Sequence, residues 1–180
     1  MKVPTESRGF TLVELMVVIT VLAIVMAIGI PSFNTLIKNN RLTAAVNDLA
    51  GGLSYARAEA VRRGRSVRVD SLSGGLSEGL RVWFDADGDN GFDDDGTEEL
   101  RLVNFSGSSG VTAAGNVDGT ASTSLSLSYS PRGSVSGGGN QFKLTLCDDR
   151  AGNYGKELNV LASGVMRTNS NITCAQEAAS

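Results

Sequence analysis

Alternating carboxylates, clustered arginines and a pair of cysteines are the residues of this chain that could do chemistry. From Asp85 to Gly96 the sequence reads Asp-Ala-Asp-Gly-Asp-Asn-Gly-Phe-Asp-Asp-Asp-Gly. Oxygen ligands at alternate positions, here Asp85, Asp87 and Asp89 with Asp93 beyond them, are what a calcium loop supplies. An EF-hand also needs Gly at its sixth place and a bidentate acid at its twelfth. Started at Asp85, those places hold Asn90 and Gly96; started at Asp87, they hold Phe92 and Glu98. Neither register fits both, and Asp and Gly also dominate turns for conformational reasons. Arg57, Arg62, Arg63, Arg65 and Arg68 crowd a second stretch. They suit either phosphate neutralisation or the solvated basic end of a helix. The sequence has no histidine, which removes Ser–His and Cys–His nucleophile pairs and imidazole metal sites. No carboxylate or lysine constellation suggests catalysis, so the expectation is a protein that is not an enzyme and needs no cofactor.

One further acid stands where acids are expensive. Between Phe10 and Ile30 lie 21 residues whose only charge is Glu14. As a helix they would extend about 31 Å, roughly the thickness of a bilayer core. A secretory signal peptide would be cut after its apolar part, yet no A-x-A-like pair follows Ile30, where Pro31-Ser32-Phe33-Asn34 leads into more helical sequence. The segment therefore reads as a retained membrane span. A carboxylate at its edge costs a few kcal/mol and calls for a partner, unless it sits at headgroup level.

The run Gly9-Phe10-Thr11-Leu12-Val13-Glu14, closing a short polar leader and opening an apolar helix, resembles the type IV pilin and type II secretion pseudopilin superfamily. The resemblance implies cleavage between Gly9 and Phe10 by a prepilin peptidase and N-methylation of Phe10. It further implies that Glu14 acts in assembly, paired with the terminal amine of a neighbouring subunit. Tyr55-Ala56-Arg57-Ala58-Glu59-Ala60-Val61, Ser66-Val67-Arg68-Val69, Val82-Trp83-Phe84-Asp85 and Leu146-Cys147-Asp148-Asp149-Arg150 resemble the branch of H-type pseudopilins (GspH) and FimT/FimU-like minor pilins. Some FimT-like proteins hold DNA with a Gly-Arg-x-Arg stretch near the C-terminus. Here the matching place reads Gly164-Val165-Met166-Arg167, with the first arginine missing and Arg167 retained.

The implied product is a structural minor pilin of a type IV pilus, in its tip or initiation complex. Its partners would be other pilin or pseudopilin subunits, the prepilin peptidase and an inner-membrane assembly platform. An H-type pseudopilin of type II secretion is the alternative, and a DNA-binding minor pilin for DNA uptake is the second alternative. Its place would be the bacterial inner membrane, single-pass with a periplasmic C-terminal domain, and then the filament. Cys147 and Cys174, the only cysteines, then fall in the exported part. There an even count favours a disulfide over a metal site or nucleophile, with two free buried thiols as the other reading. The pair tilts the assignment towards the pilus. Net charge is minus 3, and removing Lys2, Arg8 and Glu6 with the leader makes it minus 4, so bulk attraction to nucleic acid is absent and any basic site must be local.

The elements that position these residues follow from periodicity. Residues 1–9 are the leader, 10–31 the membrane-spanning half of a long helix, 32–64 its amphipathic half and 65–180 a periplasmic β-rich domain. Pro31 can kink the helix without ending it. Leu42, Val46, Leu49, Leu53, Ala56 and Ala60 recur at steps of four and three and make one face, with Asn40, Asn47, Asp48, Arg57, Glu59 and Arg62 mostly elsewhere. Gly64 is the expected stop. Beyond it the period becomes alternating: Val67 and Val69; Leu80, Val82 and Phe84; Leu100, Leu102 and Phe105; Leu125, Leu127 and Tyr129; Phe142, Leu144 and Leu146; Leu158 and Val160; and a last strand near Val165. Ser106 to Thr123 and Ser134 to Asn140, rich in Gly, Ser and Asn, read as mobile loops. The fold expected is α+β and pilin-like, one long helix whose outer half packs on an antiparallel sheet.

Overall fold

A computed structural model describes residues 9–104, 110–137 and 139–175. The leader residues before Gly9, Phe105 of the expected third strand and the start of the first expected loop lie outside them. One helix, α1, runs Leu12–Arg63 and carries Pro31 inside it. Arg62 and Arg63 occupy its last turn, where cations suit the negative end of the helix dipole. Gly64 follows in the left-handed conformation at φ 64°, the usual way for a helix to stop.

The chain forms two compact units, one ending at Lys38 and one running from Asn39. In the first, the large apolar side chains from Leu12 to Leu36 are all at least half exposed. In the second, Leu42, Ala45, Val46, Leu49, Leu53, Ala56 and Ala60 are at most 1 % exposed, so the helical stripe is core. Glu59, expected off the stripe, is buried too.

Among the described residues ten strands follow: β1 (Val67–Leu72), β2 (Gly75–Trp83), β3 (Glu99–Asn104), β4 (Thr112–Val117), β5 (Thr120–Ser122), β6 (Ser126–Tyr129), β7 (Val135–Ser136), β8 (Gln141–Cys147), β9 (Gly152–Leu161) and β10 (Met166–Cys174). They make two antiparallel five-stranded sheets rather than one, in the orders β3-β2-β1-β6-β7 and β10-β9-β8-β4-β5. Both sheets give their alternate apolar residues to a single core with the helix, Val67, Val69, Leu80, Val82, Leu127 and Tyr129 from the first and Phe142, Leu144, Leu146, Leu158 and Val160 from the second.

The structure departs from the expected pattern in three places. Strand β3 was expected to turn Leu100 and Leu102 inward, but Leu102 is 42 % exposed and Val103 is buried. Val82 pairs with Arg101 while Trp83 pairs with Glu99, so Leu100 is an extra residue in the ladder. A one-residue slip exchanges the two faces of everything beyond it. The first expected loop holds the β4–β5 hairpin, closed by Asp118 and Gly119 at φ 47° and 93°, the residue types that a tight hairpin turn requires. The second holds β7. Strand β4 is Thr-Ala-Ala-Gly-Asn-Val, poor in strand formers, and it is held by six Cα pairings to β8 from Thr112↔Cys147 to Val117↔Phe142. Val165 lies just before the last strand, which starts at Met166.

Candidate functional site

At the head of the helix, Thr11 and Glu14 satisfy each other. The Thr11 amide donates to Glu14 Oε2 at 3.0 Å, the Thr11 hydroxyl donates to the same oxygen at 2.9 Å, and Thr11 Oγ1 accepts the Glu14 amide at 3.2 Å. This reciprocal arrangement is a capping box, which covers amides that a helix start leaves unpaired. Its signature, Thr followed three residues later by Glu, is legible in the sequence. Glu14 thus has a partner within its own chain. Gly9 and Phe10 are exposed immediately before the cap, outside the helix.

The five arginines near the helix end are close in the chain but held by different partners, with Arg62 and Arg63 sharing Glu59. Arg57 donates to the carbonyls of Gly164 at 3.1 Å and Ser163 at 3.3 Å, in the turn between β9 and β10. Glu59 accepts from Arg62 Nε at 3.0 Å and Nη2 at 2.6 Å, and from Arg63 Nε at 2.8 Å. These bonds hold the Glu59 carboxyl down at about 2. Arg63 also stacks 4.3 Å from the centre of the Phe84 ring. Arg65 donates to the Asp85 carbonyl at 3.0 Å; Arg68 donates to the Asn90 carbonyl at 3.0 Å and to its Oδ1 at 2.7 Å. Arg65 and Arg68 line an open groove of about 480 Å³ with Gly64, Ser66, Asp85, Asn90, Ser128 and Pro131. Arg167 stands in the other sheet, exposed on β10 opposite Asn159.

The acidic turn is a loop pinned to β2. Phe92 lies between the Arg81 guanidinium, 3.9 Å from its ring centre, and the Trp83 ring, which it meets edge-on at 5.6 Å. Carboxylate oxygens of Asp85, Asp87 and Asp89 lie within 4.8 Å of one another, as do those of Asp87, Asp93 and Glu98. Glu98, which the alternating pattern did not single out, is only 2 % exposed and accepts the amides of Ala86 at 2.7 Å and Asp93 at 2.9 Å. Asp85 accepts the amides of Gly88 and Asn90, Asp87 that of Asp89, and Asp89 that of Gly91. The loop thus offers a hard cation an all-oxygen donor set, while the carboxylates of Asp85, Asp87, Asp89 and Glu98 also fix backbone, the conformational use that Asp has in turns. Crowding raises the Asp93 carboxyl above its ordinary value, chiefly through Asp89, then burial, then Asp87, Glu98 and Asp95.

Cys147 at the end of β8 and Cys174 at the end of β10 form a disulfide, which sets aside the free-thiol reading.

The family described as "Type II transport protein GspH" matches residues 45–164, and the prokaryotic N-terminal methylation motif matches residues 5–30. The chain is 28 % identical over 116 residues to fimbrial protein Q of Moraxella bovis, covering 63 % of this chain and 68 % of that protein. It is 29 % identical over 130 residues to a fimbrial protein of Pseudomonas aeruginosa, covering 72 % and 74 %. Its fold is similar to the crystal structure of the Pseudomonas aeruginosa type IV minor pilin FimU, with a TM-score of 0.56 at 21 % identity over 73 % of this chain and 90 % of that one.

Proposed function

We propose, from the premise that this chain belongs to the GspH family of type II transport proteins, that it is a structural minor pilin, assembled through its N-terminal helix into a type IV pilus. The observation that carries this reading is the first unit of the helix, apolar and exposed from Leu12 to Leu36 with Glu14 as its one charge. Such a surface needs lipid first and neighbouring helices afterwards. Prepilin peptidase cuts between Gly9 and Phe10 and the new Phe10 amine is methylated. The C-terminal domain faces the periplasm, and other pilin subunits then surround the helix. The protein is structural rather than catalytic. Fimbrial relatives support the pilus over a secretion machine, and within it the proposed place of the subunit is the tip or initiation complex. The name of the matching family supports a second reading, an H-type pseudopilin of type II secretion. DNA capture is a third, resting on exposed Arg167.

Glu14 is the residue that tests the filament reading, and its cap dictates the choice of variants. Glu14→Ala removes both charge and cap, whereas Gln serves a capping box nearly as well as Glu and removes only the charge. In a low-dielectric bundle the neighbour's amine would lose its counter-charge in both variants, a cost of about 3–5 kcal/mol for a buried partner left alone. Both proteins should be cut to an N-methylated Phe10, as mass spectrometry of the membrane form would read. Both should then be depleted from sheared filaments or copurified minor-subunit complexes. Normal recovery of Glu14→Gln would end the ion-pair reading. Crosslinking the wild type in native membranes would identify its neighbours as pilus or secretion subunits.

A further inference from the structure

Beyond the last strand residue of β8, Asp148 and Arg150 form an internal fork that reaches the helix. Arg150 Nε donates to both Asp148 carboxylate oxygens at 3.0 Å, its Nη2 donates to Asp148 Oδ2, and its backbone amide donates to Asp148 Oδ1 at 3.0 Å. The same Nη2 donates to Asn39 Oδ1 at 2.9 Å. The guanidinium also lies 4.2 Å from the centre of the Tyr154 ring. Both side chains are largely withdrawn from water, 14 % and 5 % exposed. Asn39 is the first residue of the second compact unit, so the fork holds the helix where that unit begins.

The disulfide sits at the root of this fork. Pairing of β8 with β9 ends at Leu146↔Lys156, and with β4 at Thr112↔Cys147, so from Asp148 onward the arm has no ladder. At the other end of the bond, β10 reaches Cys174 through two register shifts, between Ser170 and Ile172 and between Ile172 and Cys174. Gly155, next to Tyr154, backs onto the bond so closely that a Cβ there would stand 2.6 Å from Cys174 Sγ and 3.3 Å from Cys147 Sγ. The bond therefore lies against the strand that carries Tyr154, the ring beside Arg150.

We propose that the Cys147–Cys174 bond and the Asp148–Arg150 fork form a redox-sensitive latch that holds the helix at Asn39. A dithiol reductant opens it. Two electrons and two protons pass to the bond, the S–S bond breaks, both cysteines become thiols, and the reductant's own sulfurs join as a disulfide. The arm then loses its anchor, the fork loses its geometry, and the first helical turns of the folded body exchange their amide protons faster. The latch stands on this geometry alone. Only its consequence, a looser first turn of the folded body in an assembling subunit, rests on the filament reading.

Hydrogen exchange on the full chain in detergent tests it, comparing oxidised protein, protein treated with dithiothreitol, and Arg150→Gln and Arg150→Lys. Reduction and Arg150→Gln should each speed exchange of amides 39–46 roughly tenfold, the loss expected for one charge-assisted hydrogen bond. Peptides covering β1 and β2 should not change. Arg150→Lys should fail to restore the slow exchange, because an ammonium cannot make the fork. Unchanged exchange at 39–46 would overturn the latch, and so would an equal rise across both sheets, which would make the bond a global staple. A latch confirmed with Glu14→Gln still incorporated would leave it standing while the filament reading fell.

Discussion

At the scale of single residues, Glu59 shows what neighbours do to a carboxylate. It is one turn from the end of the helix, buried, and bonded by both Arg62 and Arg63. Its folded value of about 2 lies below the ordinary 4.5. The stability it contributes is therefore present above about pH 4.5 and lost as pH falls towards 2. Because Arg62 is 66 % exposed, solvent screening leaves roughly 1 kcal/mol. Glu59→Gln should lower the melting temperature of the full chain at pH 7, and the difference from wild type should shrink as pH falls from about 4.5 and vanish only below 2. A constant difference across that range would mean that packing, not charge, is what the variant removes. Arg57 makes the complementary point: two backbone carbonyls across the body from the helix claim its guanidinium.

At the scale of elements, two adjacent glycines in the helix separate intrinsic propensity from packing. A Cβ on Gly52 would fall 2.6 Å from Val103 Cγ2, whereas one on Gly51 meets nothing within 4 Å. Gly52 is thus where α1 touches β3, and the bulge at Leu100 is what delivers Val103 to that contact. Gly51→Ala should stabilise by about 0.5–1 kcal/mol, the helix preference for Ala over Gly. Gly52→Leu should destabilise by about 1–3 kcal/mol through overpacking. Thermal melts of the two variants check both signs. A harmless Gly52→Leu would show that the helix and β3 separate at little cost.

At the scale of the whole molecule, charge argues against avid DNA binding. The chain is acidic overall, and Arg57, Arg62, Arg63, Arg65 and Arg68 already donate to carbonyls or to carboxylate and amide side chains of the folded body. Arg167 is exposed and stands in the other sheet. Binding of duplex DNA by the full chain should be weak, fall steeply between 50 and 200 mM salt, as the order of magnitude for phosphate contacts requires, and weaken further in Arg167→Ala. Fluorescence anisotropy at several salt concentrations checks this. Tight binding insensitive to salt would contradict it and require a surface other than these arginines.

The sequence by itself determined whatever depends on local period or on a forced choice. The apolar span with its one acid, the stripe from Leu42 to Ala60, the stop at Gly64 and the inward parity of β1, β2, β6, β8 and β9 all follow from side-chain spacing. Two cysteines leave one intramolecular partner each. Only the tertiary structure decided the rest, because the deciding energy comes from residues far away in the chain. Strand β4 exists through its pairing with β8 and not through Thr-Ala-Ala-Gly-Asn-Val. The faces of β3 exchange because its partner Trp83 meets Glu99 and skips Leu100. No pattern in Arg57 or Arg150 announces the carbonyls and the asparagine that they reach across more than a hundred residues. A charged side chain on a long flexible stem has its direction set by which unpaired polar atoms the fold leaves within reach.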